Sequence, residues 1–385
     1  MKIVTAIDSF KGSLSSLEVG RAFARGVKKV FPDAEIAVIP MADGGEGTAR
    51  VITEGLNGEW VEISAEDPMH RPRTAGYGLL RDGKTAVMEM AEAAGLTLIE
   101  EEERNILKAS TWGVGRMIRD AIERGCRNFI IGIGGSATND CGIGMLQALG
   151  IRFYDKDGCE IGRYGEDCGK VEKICLEGQM SELKDCRFRV ACDVTNPLLG
   201  EQGASYIYGP QKGGNPDQVK AMERMHRHFA AKTVEIRGRD YSGCPGAGAA
   251  GGLGFAFLAY LNAVLEPGVD LVMKAVSLES RIKDADYVIT GEGCLDGQSA
   301  MGKVPAGVSR IAKKYGIPVI AVAGNVLPEA QKCHSGGMDA FFSILPAAMD
   351  LKKAMEPGVA ESNVEWTAEE IMRLIKAAEN RKNRR

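Results

Sequence analysis

Five loops in this 385-residue sequence carry residue types suited to phosphoryl chemistry: Asp8-Ser9-Phe10-Lys11-Gly12-Ser13, Asp43-Gly44-Gly45-Glu46-Gly47, Gly134-Gly135-Ser136, Asp193 and Gly291-Glu292-Gly293. Each follows a short apolar run. Glycine-rich loops of this kind offer backbone N–H groups near helix N-termini, where an anion is favoured. Their carboxylates can share a magnesium ion with a bound phosphate. Any one of the five also reads as a glycine turn with Asp or Ser capping a helix; five of them together argue for a site.

Within these loops Lys11 is placed to reach a transferring phosphoryl group, and Lys212 in "GPQKGG" and Lys303 in "SAMGKVP" are further candidates. Each also reads as a solvated or helix-start lysine. Asn139, in the polar continuation Thr138-Asn139-Asp140, joins the phosphate or substrate candidates with Asp8, Ser9, Asp43, Gly44, Gly45, Gly134, Gly135 and Ser136. Asp193 closes the run "FRVACD", and a carboxylate there can accept a substrate hydroxyl proton. Glu292 and Asp296 can hold a metal ion or simply cap the following helix. With four histidines, His226 and His228 being two apart, a histidine metal site is not expected.

Three glycine motifs need weighing. "GLLRDGKT" (Gly78 to Thr85) fits the P-loop expression, but its flanks alternate as strands and Asp82-Gly83 is a two-residue hairpin signal. Arg73 to Met90 is therefore expected to be a hairpin with a type I′ turn and Lys84 at its tip. "GAGAAG" (Gly246 to Gly251) lacks a preceding strand and reads as a close-packed entrance to a helix. "GIGGSA" (Gly132 to Ala137) follows a strand and keeps open an NAD(P)-dependent oxidoreductase, although a polar loop continues where that fingerprint requires a helix.

The elements that must position these residues form an α/β pattern. "KIVTAID", "NFIIGIGG", "DYVITGEG" and "PVIAVAG" are apolar without alternation, as in parallel strands covered on both faces. After the first comes a helix from Ser16, with Ser15 and Glu18 as a capping box and Val19, Phe23, Val27 and Val30 as its apolar stripe. A last helix is expected over "TAEEIMRLIKAAEN", capped by Thr367 and Glu370, with Ile371, Leu374, Ile375 and Ala378 facing inward. The spacing of the strands suggests a Rossmann-like parallel-sheet domain from both chain ends, 1–85 and 285–385. A second α/β domain, 86–284, is inserted, with the active site in the cleft between the two.

The net charge of −4 argues against nucleic acid as a partner, and the basic run Arg381 to Arg385 reads as a solvated tail. The uncharged stretch Ser242 to Leu265 is too glycine-rich for a membrane span. No signal peptide is expected, since the apolar run Ile3 to Ile7 stops at Asp8. Ten cysteines without a C-x-x-C pair suit reduced thiols in a cytoplasmic protein.

Taken together, "DSFKGSLS", "PMADGGEGT", "GIGGSATND", "CDVTNPLLGEQGA", "GPQKG", "PGAGAAGGLGFA", "TGEG" and "LDGQSAMGKVP" resemble the glycerate kinase type-1 family. The resemblance implies ATP-dependent phosphorylation of glycerate with Mg2+, on a two-domain fold without a P-loop. It tilts toward the 2-hydroxyl, leaves the oligomeric state open, and does not say which loop takes ATP. Two positions depart from the family pattern: Cys294 stands where it has arginine, and Cys141 where it has glycine. A thiol cannot replace a charge-assisted guanidinium fork, so Cys294 keeps open a catalytically weak sensor of glycerate or nucleotide.

Overall fold

A computed structural model describes residues 1–382; of the basic tail, Asn383 to Arg385 lie outside the described residues. The chain divides into two compact units, residues 1–43 with 272–385, and residues 44–271.

The first unit is built on a five-stranded sheet ordered Ala340–Ser343, Val319–Val326, Tyr287–Leu295, Lys2–Ile7, Glu35–Val38. All its pairings are parallel. Parallel strands need covering on both faces, and Ile3 to Ile7 are buried throughout. The helix Ser16–Val30 covers part of it, with Val19, Phe23, Val27 and Val30 inside. Its capping box forms as the sequence predicts: Ser15 N–H donates to Glu18 Oε2 at 2.8 Å, and Glu18 N–H to Ser15 Oγ at 3.3 Å. Gly26 lets the long C-terminal helix pass closely, since a Cβ there would stand 2.2 Å from Glu365 O.

That C-terminal helix runs Pro357–Lys382, so Thr367 lies in its interior instead of capping it. The ten earlier residues shift the packed face to Ala360, Val364, Ala368, Ile371 and Met372, all buried. Ile375 is half-buried against this face, while Leu374 and Ala378 point to solvent.

The second unit has a six-stranded mixed sheet ordered Val264–Glu266, Arg187–Ala191, Asn128–Gly132, Thr85–Glu89, Pro72–Leu79, Glu59–Glu66. The first four are mutually parallel and the last two antiparallel. Residues 44–85 thus belong here and not, as the sequence suggests, with the N-terminal strand. The helix Thr48–Gly55 packs on the hairpin, where Gly78 leaves room for Thr53. At the other junction, 272–284 fall in the first unit rather than the inserted one.

The hairpin excludes a P-loop, because strand Thr85–Glu89 follows "GLLRDGKT" where a helix is required. Its turn differs from type I′. Gly83 alone has positive φ (+62°) and donates to Leu80 O at 3.0 Å. The Asp82 carboxylate accepts from the N–H groups of Lys84 and Thr85, both at 2.9 Å, and so widens the loop.

"GAGAAG" enters a buried helix, Ala249–Tyr260, through left-handed residues Ala250, Gly251 and Gly252. A Cβ on Gly251 would meet Thr138 O at 2.1 Å, so that turn admits glycine for reasons of space as well as φ. Among the described residues no helix is long and apolar enough to cross a membrane. All ten cysteines are free thiols.

Candidate active site

In the first unit the carboxyl ends of the strands gather seven of the predicted residues. Ile7 pairs with Gly291 across neighbouring strands, and Asp8 N–H donates to Gly291 O at 2.9 Å. This register sets the Asp8 and Glu292 carboxyls near one another. Burial, then the neighbouring Asp43, push the Asp8 carboxyl up to about 7; Glu292 adds to this, while Ser9 N–H and Lys11 act against it. Burial also raises Glu292, whose Oε1 is buried with no hydrogen-bond partner.

Two lysines face these acids. Lys11 Nζ lies 2.9 Å from Asp43 Oδ2, a bond that raises the lysine above its ordinary value. Lys303, the residue before helix Val304–Lys314, stands 3.6 Å from Glu292 Oε2. Asp296 is engaged locally: its Oδ1 accepts from Gln298 N–H at 2.8 Å and Ser299 N–H at 3.0 Å. It braces the turn Asp296 to Ser299 and does not cap the following helix, which begins at Val304 with Lys303 at its N-cap position.

Asp8, Ser9, Lys11, Asp43, Glu292, Asp296 and Lys303 line one cavity of about 490 Å³. Cys294 lines it too, together with an apolar wall from Ile344, Leu345, Met349, Leu351 and Met355. The sequence reading missed this wall, since residues that follow the last strand in "ILPAAMDLKKAM" carry no motif.

The second unit holds the remaining candidates. Gly134 and Gly135 are exposed, and Ser136 Oγ accepts from Lys212 Nζ at 2.7 Å. Lys212 also donates to Thr138 O at 2.7 Å. It is buried, and burial pulls its ammonium down to about 7. Lys212 therefore fixes the loop from beneath instead of presenting its charge at the surface. Asn139 is enclosed as well: Nδ2 donates to Ser205 Oγ at 3.2 Å, and its carbonyl bonds His226 Nε2 at 2.8 Å. No helix follows Gly132 until Ile143, so the dinucleotide fingerprint lacks its helix.

Asp193 is exposed at its strand end and accepts from Gly268 N–H at 2.9 Å. Gly44, at φ +91°, passes Gly268 so closely that a Cβ would lie 2.6 Å from its Cα. The N-terminus of helix Thr48–Gly55, which the Gly44-Gly45 loop leads into, is taken by Glu89. That buried carboxylate accepts from Gly47 N–H at 3.0 Å and Ala49 N–H at 2.7 Å. Glu89 went unnoticed in the sequence, though an acid closing the run "AVME" is the same signal that marked Asp193. Cys141 occupies a left-handed position (φ +51°), which suits the glycine of the family pattern better than a thiol.

An α/β fold with strand-end acids, lysines and glycine loops, and no P-loop, is the setting of a phosphotransferase with an alcohol group as acceptor. Comparison with known proteins agrees with this class. The glycerate kinase family matches residues 3–376. A glycerate kinase of Bacillus subtilis (strain 168) is 45% identical over 378 residues, covering 98% of each chain. A glycerate 2-kinase of Escherichia coli (strain K12) is 45% identical over 354 residues, 92% of this chain and 93% of that one. A crystal structure from Salmonella typhimurium LT2, assigned as glycerate kinase 2, superposes with a TM-score of 0.91 at 41% identity over 99% of both chains. The chain belongs to the glycerate kinase family.

Proposed function

We propose that the protein transfers the γ-phosphoryl group of ATP to the 2-hydroxyl of D-glycerate, giving 2-phosphoglycerate and ADP. The observation that carries this reading is the cavity of the first unit, where Lys11 and Lys303 face Asp8, Asp43 and Glu292. Such transfers rest on positioning and charge neutralisation rather than covalent catalysis. The regiochemistry follows the relative named glycerate 2-kinase.

In this reading Lys11, 69% exposed at its side chain, neutralises charge on the transferring phosphoryl. The substrate hydroxyl oxygen bonds phosphorus, the bond from phosphorus to the ADP oxygen breaks, and Asp193 accepts the hydroxyl proton. Ser136, fixed by Lys212, and the exposed Gly134-Gly135 backbone offer donors to substrate or phosphate. Asn139, being enclosed, supports that loop from within.

Magnesium fits the first unit. Among the described residues no group of three or more His, Cys, Asp or Glu could hold a metal ion. Magnesium in kinases uses one or two carboxylates, water and phosphate oxygens, and the unpartnered Glu292 Oε1 with the neighbouring Asp8 supplies that pair. Bound there, it would offset phosphate charge. Asp296, committed to its turn, lends the region negative potential.

The test is a product assay with purified protein, MgATP, D-glycerate and enolase. Phosphoenolpyruvate is expected. Glycerate-dependent ADP without phosphoenolpyruvate would move transfer to the 3-hydroxyl, and no ADP would remove the kinase reading.

A further inference from the structure

The cavity of the first unit has two chemically distinct ends. One is ionic, with Asp8, Lys11, Glu292 and Lys303. The other is apolar, formed by Ile344 and Leu345 beyond the last strand, by Met349, and by Leu351 and Met355 around the short helix Leu351–Ala354. The ends adjoin: a Cβ on Gly12, next to Lys11, would lie 3.0 Å from Met355 Cε. Leu351 is 74% exposed at the rim. A leucine left in water there gains burial only when something apolar covers it.

Resting on the kinase reading above, we infer that this cavity is the nucleoside triphosphate site, with the purine on the Leu345, Met349 and Leu351 wall and the phosphates toward Lys11 and Lys303. Glycerate has only three carbons, all bearing oxygen, and has no use for five aliphatic side chains. A nucleotide needs both ends at once, a flat apolar base and a polyanion. The volume of about 490 Å³ falls within the range of roughly 300–1,000 Å³ found for small-molecule sites. The unpartnered Glu292 Oε1 lies at the end where a phosphate-bound cation would stand.

Cys294 provides a reporter, because it lines this cavity. The experiment follows modification of Cys294 by N-ethylmaleimide with peptide mass spectrometry, using the exposed Cys159 as internal control. MgATP is expected to slow alkylation at Cys294 at least tenfold and leave Cys159 unchanged, while D-glycerate protects neither. Calorimetry then compares MgATP with magnesium tripolyphosphate, which lacks the base, on wild type, Met349→Gln and Leu351→Gln. The wall variants are expected to weaken ATP at least fivefold and tripolyphosphate less than twofold.

Equal weakening of both ligands, or protection by glycerate and not by ATP, overturns the assignment. If glycerate phosphorylation proceeds while ATP leaves Cys294 unprotected, the kinase reading stands and this placement fails. If ATP protects Cys294 and no phosphorylation occurs, the placement stands and the kinase reading fails. No ATP binding by the wild-type protein would overturn both.

Discussion

Asp8 is joined to the neighbouring strand by its N–H bond to Gly291 O, 2.9 Å long, and thereby shares its surroundings with Glu292. The carboxyl is held up to about 7 by burial first, then by Asp43 and Glu292. The unfolded chain would ionise it near 3.9. Between these values the folded protein binds more protons than the unfolded chain. The stability this adds is complete below about pH 4 and is lost as pH rises through 7. Asp8→Asn is therefore expected to gain about 1–3 kcal/mol relative to wild type between pH 5 and pH 8. Urea unfolding at the two pH values measures it; an unchanged difference would place the Asp8 carboxyl in the ordinary range.

For Lys212 the sign reverses. Burial pulls it down to about 7, against roughly 10.4 in the unfolded chain. The unfolded state binds more protons over that interval, so stability rises with pH. Wild type should gain about 1–3 kcal/mol over Lys212→Met between pH 7 and pH 9. Thermal melts at matched ionic strength test this, and parallel curves would show the lysine titrating normally. The variant should also lose activity, as Ser136 and Thr138 lose their shared donor.

Lys11→Ala separates catalysis from folding. The pair with Asp43 is exposed enough that its loss costs no more than about 1 kcal/mol of stability. Turnover should nevertheless fall at least about a hundredfold if the ammonium meets charge that develops in the transfer. Steady-state kcat beside a melt decides it; near-normal turnover removes Lys11 from the reaction.

Asp193→Asn keeps an oxygen to accept the Gly268 N–H and removes the proposed base. A drop in kcat of about 10²–10⁴ is expected with little change in the melt. An ordinary kcat would assign the proton to another group.

Much of this arrangement was legible in the sequence, and the reasons differ by element. Apolar runs that end in Asp, Glu or Gly predicted the strand ends, because a parallel strand must be apolar on both faces and its ligand edge cannot be. The Ser15–Glu18 box was legible because its partners are three residues apart. Burial of Lys212 and Asn139 was not, since the groups that enclose them come from 66 to 87 residues away. Thr367 misled for a local reason: a good cap residue was read as a start, while the chain had already entered its helix at Pro357. The boundary at residue 43 escaped because only strand pairing tells that the hairpin strands join the second sheet.

Cys294→Arg tests the position where the family pattern carries arginine. A guanidinium lining this cavity should strengthen the hold on phosphate, lowering the KM for ATP by about tenfold. Unchanged KM values for ATP and glycerate would mean that Cys294 has no bearing on binding here.

The strand Lys2–Ile7 of the first unit takes one neighbour from nearby, Glu35–Val38, and the other, Tyr287–Leu295, from some 280 residues later. On the ribosome this strand leaves before the second unit and must wait for synthesis of that whole unit before its sheet can close. Residues 44–271 form a continuous stretch with a full sheet of their own, so they can fold while the N-terminal strand is still half paired. A nascent chain halted near residue 271 would thus hold the Asp193 loops already formed and the Lys11 loop still unsupported. The cavity around Lys11, on this account, is the last part of the chain to be completed.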